Sequence, residues 1–255
     1  KIASILGTWD RAISTTERLI DNSKQQKKAL MQQLLTGKKR LLDDSGKPFD
    51  GEWKKGKLGD IAKIDSGYAF KSSDFTNLES GVAIIRMSDF KSGGLVLSGA
   101  TKVAREATIG LEKFKLKSGD FIFGMSGSLS NYGWVKEKDL PCFLNQRVGR
   151  ILSKECTDQI FATYLYLSDK IQKSILDKAA GAAQLNISVG ELRNTIINYP
   201  SFEEQQKIGV VLINADRQLE LLEHQLAYLK QEKKALMQQL LTGKRRVKLV
   251  DKEIA

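Results

Sequence analysis

The chain has 255 residues, 41% of them hydrophobic, and a net charge of +11. This length allows one large domain or two small ones, and because no apolar run approaches about 18 residues, we expect no contact with a membrane. Two cysteines and a single histidine, His224, argue against a small disulfide scaffold, a Ser-His-Asp triad and a zinc site, and favour a cytoplasmic protein.

The positive charge is concentrated at the two ends of the chain. Residues 1–40 carry nine Lys or Arg against three Asp or Glu, and residues 207–255 carry ten against six. Residues 41–206 are close to neutral, with 22 basic and 21 acidic side chains. A basic protein suggests a polyanionic partner such as DNA, and the middle of the chain must then bind it through a local patch.

A segment at the start of the chain recurs near its end at a constant offset of 206 residues, with twelve identical residues in register from Lys27 and from Lys233. Each copy has apolar residues at spacings of three and four, the heptad pattern of a coiled coil. Thr16 and Ser23 weaken the first copy. The predicted seam residues are Trp9, Ile13, Ile20, Leu30, Leu34, Leu219, Leu222, Leu226, Leu229, Leu236 and Leu240.

The two copies predict long helices over residues 1–40 and 201–246, and a polar tail follows over residues 247–255. A glycine followed by basic residues ends each copy, which is a common helix stop. Ser201 is the expected N-cap of the second helix, and Glu204 is placed to complete a capping box. A heptad seam needs a partner, and the nearest one for each helix is the other copy.

Between the helices, a linker over residues 41–56 leads into a domain over residues 57–200. Apolar runs bounded by Gly, Asp or Asn predict strands over residues 82–87, 121–125 and 148–152. Helical patterns cover residues 159–177 and 188–195. The expected fold class is α+β, a mixed α/β domain flanked by two long helices that form an antiparallel coiled coil.

Signs of catalysis are weak. The glycine-rich turn over residues 119–127 is of a common kind and does not indicate a nucleotide cofactor. Asn198-Tyr199-Pro200 does not match the adenine-methyltransferase signature, in which two prolines and an aromatic residue follow an Asp or Asn. Asp50 and Glu52 are too close in sequence to come from separate strands of a nuclease site. We therefore expect a chain that is not itself an enzyme and holds no cofactor and no metal.

Three polar stretches suit the binding of nucleic acid. Residues 126–132 are rich in hydroxyls, and Asn145-Gln146-Arg147 places two amides beside a guanidinium, groups that pair with adenine and guanine. Backbone N–H groups of the loop over residues 181–188 are placed to hold a phosphate. The candidate DNA-binding residues are Tyr68, Lys71, Arg86, Ser88, Lys91, Ser126, Ser128, Asn131, Tyr132, Asn145, Gln146, Arg147, Gln184, Asn186 and Ser188.

Together these motifs resemble the specificity subunit of type I restriction-modification systems. The repeated Lys-Ala-Leu-Met-Gln-Gln-Leu-Leu-Thr-Gly-Lys is similar to the spacer helices of that family. The resemblance extends over the whole chain through short motifs: Phe49-Asp50-Gly51-Glu52-Trp53, Leu58-Gly59-Asp60, Gly67-Tyr68-Ala69-Phe70, Gly119-Asp120 and Pro200-Ser201-Phe202-Glu203-Glu204-Gln205.

The resemblance implies a subunit with two target recognition domains, each reading one half of a split site in double-stranded DNA, and two antiparallel helices that fix the gap. It implies docking of two methyltransferase subunits, which bind S-adenosylmethionine, and through them of the restriction subunits. This chain has both helices and one domain, so it is either the C-terminal half of a full subunit or a half-subunit that pairs with itself. We expect the homodimer, joined through the helices. The alternatives are a coiled-coil DNA-binding scaffold without base readout and a DNA methyltransferase fragment.

Overall fold

The computed structural model of the chain describes residues 1–91, 94–128, 130–179 and 186–247. They form two compact units: unit 1 contains residues 1–31 and the chain from residue 210 onward, and unit 2 contains residues 32–209. None of the helices in these described ranges combines the length and the apolar composition needed to span a bilayer.

The helices and strands alternate along the chain. The helices are α1 (Ile2–Leu34), α2 (Leu58–Ile61), α3 (Gln159–Leu167), α4 (Asp169–Ala179), α5 (Val189–Arg193) and α6 (Phe202–Leu241). The strands are β1 (Lys54–Lys57), β2 (Ala62–Ser66), β3 (Phe75–Thr76), β4 (Val82–Ile85), β5 (Phe90–Lys91), β6 (Gly94–Leu95), β7 (Lys102–Val103), β8 (Phe121–Gly124), β9 (Tyr132–Trp134), β10 (Cys142–Leu144), β11 (Val148–Ser153) and β12 (Ile196–Tyr199). This mixture of sheets with two long helices confirms the expected α+β class.

In unit 1, α1 and α6 run antiparallel and are joined by ion pairs. The residue numbers of the paired side chains increase along α1 while they decrease along α6, which is possible only for antiparallel helices. The pairs are Asp10 with Lys233, Glu17 with Lys230, Lys24 with Glu223, and Lys27 with Asp216. The two copies of the repeat are therefore partners within one chain.

The predicted seam residues lie on the faces of α1 and α6 that are least exposed. All eleven are buried or half-buried, as are the polar residues Thr16 and Ser23. The seam tolerates Thr16 because the Thr16 hydroxyl donates to the carbonyl of Ala12 at 2.9 Å, an ordinary hydrogen-bond length. A polar residue can thus occupy an apolar stripe when its own helix satisfies it.

Both repeat helices end before their glycines. Helix α1 ends at Leu34 and α6 at Leu241, whereas the sequence placed the repeat ends at Arg40 and Arg246. Gly37 and Gly243 adopt φ of 71° and 72°, the left-handed conformation that stops a helix. An added Cβ at Gly37 would lie 3.3 Å from the ring of Trp53, so this glycine also makes room for an aromatic side chain.

Unit 2 is built on two four-stranded sheets. One is antiparallel in the order β2-β11-β8-β9, and the other is mixed in the order β10-β4-β7-β3, with β10 parallel to β4. A small hairpin pairs β5 with β6. Strand β1 pairs antiparallel with β12, so the two ends of the domain meet in a ribbon, with Lys54 opposite Tyr199.

A shared apolar core holds the sheets of unit 2 together. Side chains of both sheets, such as Ile85 and Leu144 from one and Ile122 and Val148 from the other, form one buried cluster. All four residues of β8 are buried, which explains why its sequence is a continuous apolar run.

Two sequence predictions differ from the structure because polar side chains form hydrogen bonds that the sequence pattern does not indicate. A single helix predicted over residues 159–177 is in fact two, since Ser168 is extended and its hydroxyl bonds the carbonyl of Leu165 at 2.6 Å. Ser201 does accept from the N–H of Glu204, at 3.4 Å, but the Glu204 carboxylate does not complete the predicted capping box.

Glu204 instead forms a buried ion pair with Arg40. The Nε and one terminal nitrogen of Arg40 each donate to a carboxylate oxygen at 2.7 Å, a two-point pairing, and the terminal nitrogen also donates to the carbonyl of Gly51. The Glu204 side chain is 1% exposed and that of Arg40 24%. The hydrogen bond to Glu204 raises the pKa of Arg40 above its ordinary value. This pair fixes the chain after α1 to the start of α6.

We expect Arg40→Ala to lower the free energy of unfolding by about 2–4 kcal/mol, because it leaves the buried Glu204 carboxylate without a cation. Urea titration followed by circular dichroism measures the change. Arg246→Ala is the matched control, since Arg246 occupies the same position of the second repeat copy and is exposed, and it should change stability by less than about 0.5 kcal/mol. Equal losses in the two variants would contradict a structural role for the pair.

Candidate nucleic-acid interface

The turn at residues 145–147, between β10 and β11, organises the polar side chains of unit 2. Its backbone is hydrogen-bonded to two other segments: Asn145 N–H donates to the carbonyl of Ile85 at 3.3 Å, and Gln146 N–H donates to that of Tyr68 at 2.9 Å. The N–H of Tyr68 donates to the carbonyl of Leu144, also at 2.9 Å. The end of β4 and the segment after β2 are thereby held beside the turn.

Two more segments join through the next residues. Met125 N–H donates to the carbonyl of Arg147 at 2.9 Å, and Ile187 N–H donates to that of Met125 at 2.7 Å. Ser126 and Asn186 form an antiparallel bridge. Five stretches that are far apart in sequence, around residues 68, 86, 126, 146 and 187, thus meet at one place through main-chain hydrogen bonds.

A groove of about 350 Å³ opens at this place. Four of the side chains that line it are exposed and polar: Arg86, Ser88, Gln146 and Arg147, with Asn145 half-buried among them. Guanidinium, amide and hydroxyl groups are those that pair with base edges in a DNA groove. The arrangement offers both charge for phosphates and hydrogen-bonding groups for bases.

The remaining candidate residues differ in how available their polar atoms are. Tyr68 is 37% exposed, and its ring packs edge-on against Phe70, with centroids 5.0 Å apart. Asn131 is half-buried. Other side chains are exposed, namely Lys71, Lys91, Ser128 and Asn186. Gln184 lies outside the described residues.

Three of the candidates are engaged in the fold itself. Ser126 is only 8% exposed, and the half-buried ring of Tyr132 in β9 packs on Phe121, with centroids 5.8 Å apart. The hydroxyl of Ser188 caps α5 by accepting from the N–H of Glu191 at 3.4 Å. Burial, ring packing and helix capping tie these three side chains to the fold, and contact with DNA stays a prediction for them as for the other candidates.

A recurring turn positions basic residues around unit 2, and the sequence reasoning missed it. Five times in the described part of the chain, an Asp carboxylate accepts the backbone N–H of a Lys or Arg three residues earlier, at 2.7–2.9 Å. The spacing basic-x-x-Asp, visible in the sequence, was the signal. The pairs are Lys57 with Asp60, Lys71 with Asp74, Arg86 with Asp89, Lys117 with Asp120, and Lys136 with Asp139.

One of these turns also ends β4 two residues earlier than predicted. The Asp89 carboxylate accepts a hydrogen bond from the N–H of Arg86 at 2.7 Å, so the chain leaves the sheet after Ile85 rather than after Met87. Asp89 is 7% exposed, and its burial raises the pKa of the carboxyl group above its ordinary value. The turn places Arg86 at the edge of the groove.

Within the described residues, no group of three or more His, Cys, Asp or Glu side chains is arranged to hold a metal ion. The two cysteines are free, Cys142 buried and Cys156 exposed. Burial raises the pKa of the Cys142 thiol to about 12, so it stays protonated.

A family model described as the type I restriction modification DNA specificity domain matches residues 50–231. The chain belongs to this family. The match includes both four-stranded sheets of unit 2 with the groove, and much of α6.

Relatives within the type I specificity family are longer than this chain. The specificity subunit of the type I restriction enzyme MjaVIII from Methanocaldococcus jannaschii is 30% identical over 257 residues, covering 97% of this chain and 60% of that protein. The EcoBI specificity subunit from Escherichia coli is 28% identical over 197 residues, covering 75% of this chain and 39% of that protein.

Solved structures share the fold. The HsdS subunit from Thermoanaerobacter tengcongensis superposes with a TM-score of 0.58 at 14% sequence identity, over 94% of this chain and 56% of that one. The S subunit from M. genitalium gives a TM-score of 0.58 at 17% identity, over 92% and 58%. The chain thus spans somewhat more than half the length of the specificity subunits that it resembles in structure.

We expect Gly67→Ala to disrupt the groove, because an added Cβ would lie 2.2 Å from the carbonyl oxygen of Leu144 and 2.4 Å from that of Asn145. The backbones must separate, which should cost about 2 kcal/mol or more and lower the melting temperature of the chain. The control is Gly51→Ala, where nothing lies within 4 Å of the added Cβ. An unchanged melting temperature for Gly67→Ala would show that the turn is not tightly held.

Proposed function

We propose that this chain is a non-catalytic DNA-reading subunit of a type I restriction-modification complex and that its single recognition domain reads one half of a bipartite target in double-stranded DNA. The observation that carries the proposal is the groove that residues 86–88 and 145–147 line with guanidinium, amide and hydroxyl groups, at the place where main-chain hydrogen bonds hold five remote stretches together. Membership of the DNA specificity family gives independent support. Such a role belongs where cellular DNA lies, which for a bacterial or archaeal protein is the cytoplasm.

The groove is suited to reading bases because its lining combines neutral and charged polar groups. Amides pair bidentately with adenine and guanidinium groups with guanine, whereas a lining of lysines alone would bind phosphates without regard to sequence. Gln146 and Arg147 are adjacent, exposed and on the turn that the rest of the site holds in place. We propose that both contact base edges.

A double variant, Gln146→Ala with Arg147→Ala, tests this role. Wild-type chain incubated with random duplexes should enrich one half-site, measured by sequencing the retained DNA, and the variant should lose roughly 10-fold or more of its preference for that half-site. Binding of both proteins is measured by fluorescence anisotropy at several salt concentrations, since the nonspecific part falls steeply with salt.

The matched control is Arg18→Ala with Gln25→Ala, two exposed residues of α1. It removes the same charge and the same amide without touching the groove, so it should keep the half-site preference. If the two double variants weaken binding equally on every sequence, the groove acts only through charge, and the chain is a scaffold without base readout. If the wild type enriches no sequence, the proposed function is wrong.

We propose further that the paired helices set the spacing between half-sites and dock methyltransferase subunits, which carry S-adenosylmethionine and link the chain to the restriction subunits. Helix α6 has 40 residues, a length of about 60 Å, which is enough for a spacer of several DNA base pairs. Unit 1 also exposes large apolar side chains, among them Leu19, Leu221 and Tyr228. Such residues are typical of protein contacts when they are grouped.

The expected homodimer stays a prediction, and the helix pairing bears on its form. Because α1 and α6 of one chain fill each other's seam, a dimer joined through the seam must exchange helices between two chains. We propose that the helices pair within one chain. A dimer that leaves this pairing intact would have to use another surface.

Crosslinking distinguishes these arrangements. Cysteines replace Asp10 and Lys233, which form an ion pair across the helices, and Cys156, the exposed native cysteine, is changed to Ser. A short bis-maleimide linker should then give a product of one chain, 28.4 kDa, on a denaturing gel. A product of twice that mass would show exchanged helices. Light scattering of the untreated chain measures whether two chains associate in any other way.

A further inference from the structure

Arg86 is an exposed residue whose position is fixed at more points than those of its neighbours in the groove. Its backbone N–H is bound by the buried carboxylate of Asp89 at 2.7 Å, directly after β4 ends. Backbone and side chain are both restrained, whereas an exposed arginine on a surface usually samples many rotamers. Such restraint is typical of a side chain that has to meet a ligand in one geometry.

The guanidinium itself is held by two residues that sequence reasoning did not select. One of its terminal nitrogens donates to the hydroxyl of Thr101 at 3.0 Å, and its central carbon lies 5.8 Å from the centre of the Phe75 ring. Thr101 is anchored in turn, because its carbonyl accepts from the N–H of Ile84 at 2.9 Å. The hydroxyl therefore stays in register with β4, the strand that directly precedes Arg86.

This arrangement occupies only part of the guanidinium. Among the described residues, its Nε and second terminal nitrogen have no hydrogen-bond partner, and Arg86 lines the groove together with Ser88 and Gln146. Guanine presents two acceptors, N7 and O6, on its major-groove edge, and a pair of guanidinium N–H groups matches them. A phosphate offers a similar match but needs no fixed position. The groove lining around Arg86 includes, besides Arg147, the Ser88 hydroxyl and the Asn145 and Gln146 amides, which are suited to bases.

We propose that Arg86 reads a guanine of the DNA half-site in the major groove and that Thr101 and Phe75 are its positioning residues. The proposal rests on the proposed function, since it names one base contact of the same groove. It predicts that the protein prefers guanine at one position of the half-site. This preference should depend on the paired N–H groups of the arginine guanidinium, which a lysine cannot reproduce.

The test uses the full chain and a pool of duplexes with randomised sequence, with bound DNA sequenced for wild type, Arg86→Lys and Thr101→Val. Arg86→Lys should keep the affinity for unselected DNA within about twofold, because charge is conserved, and lose roughly 5- to 100-fold of the preference at one guanine. Thr101→Val should weaken the preference at that same position and at no other. Arg105→Lys is the control, an exposed arginine that bonds the carbonyl of Ser80 away from the groove lining, and it should change no position.

Unchanged preference in Arg86→Lys overturns the inference. A further variant, Arg86→Ala, removes the charge. If it weakens binding uniformly on all sequences and reduces the salt dependence by about one phosphate contact, Arg86 contacts a phosphate and the inference is overturned. If the wild type enriches no sequence, the proposed function falls and this inference with it. Thermal melting checks that each variant is folded, and if Arg86→Lys is not, the position-specific effect of Thr101→Val decides.

Discussion

Main-chain hydrogen bonds around the turn at residues 145–147 are the constraint on which the groove depends. They join stretches that lie as far apart as Tyr68 and Ile187 in the sequence, and each uses backbone atoms of both partners. The groove is therefore specified by register between segments and by a few residues that allow close approach, above all Gly67. Exposed side chains such as Gln146 and Arg147 take no part in these bonds, so they can change without removing the groove that presents them.

Charge in this molecule is more closely balanced than its net value suggests. The basic excess lies in the lysines and arginines of the two repeat segments, whose number suggests a polyanionic partner. Several of them instead pair with acids of the same chain: Lys24 and Lys27 with α6, Lys233 with α1, and Arg40 with Glu204. Lys28, Lys38 and Lys39 remain exposed, so the charge available to a polyanion is smaller and more local than a count of residues implies.

The sequence predicts local features well and distant pairings poorly. The repeat and its heptads predict the two helices and their apolar faces because residues three and four positions apart lie on the same face of a helix. Nothing in a short window predicts that β10 lies parallel to β4 or that β1 pairs with β12, since register between remote strands depends on the whole core. Glu204 looked like a capping residue because its sequence neighbours suggest one, while its real partner, Arg40, is 164 residues away.

The candidate site shows the same division. Amide and guanidinium groups at residues 145–147 predict the chemistry of the groove, since residue type alone carries it. Their neighbours in space were not predictable, and neither were Thr101 and Phe75, because a threonine and a phenylalanine are common anywhere in a domain. The basic-x-x-Asp spacing is visible in the sequence. Only the structure shows that each carboxylate accepts the backbone N–H of the residue three positions before it.

The ribbon formed by β1 and β12 has a mechanical consequence for the domain between the helices. The chain enters the ribbon at Lys54 and leaves it at Tyr199, and these two residues face each other at the same end. A pulling force transmitted along the two helices would act on that end of the ribbon. It would break the hydrogen bonds between β1 and β12 one pair at a time instead of loading all of them at once. The Arg40–Glu204 ion pair joins the chain before β1 to the chain after β12, so it would resist the same separation.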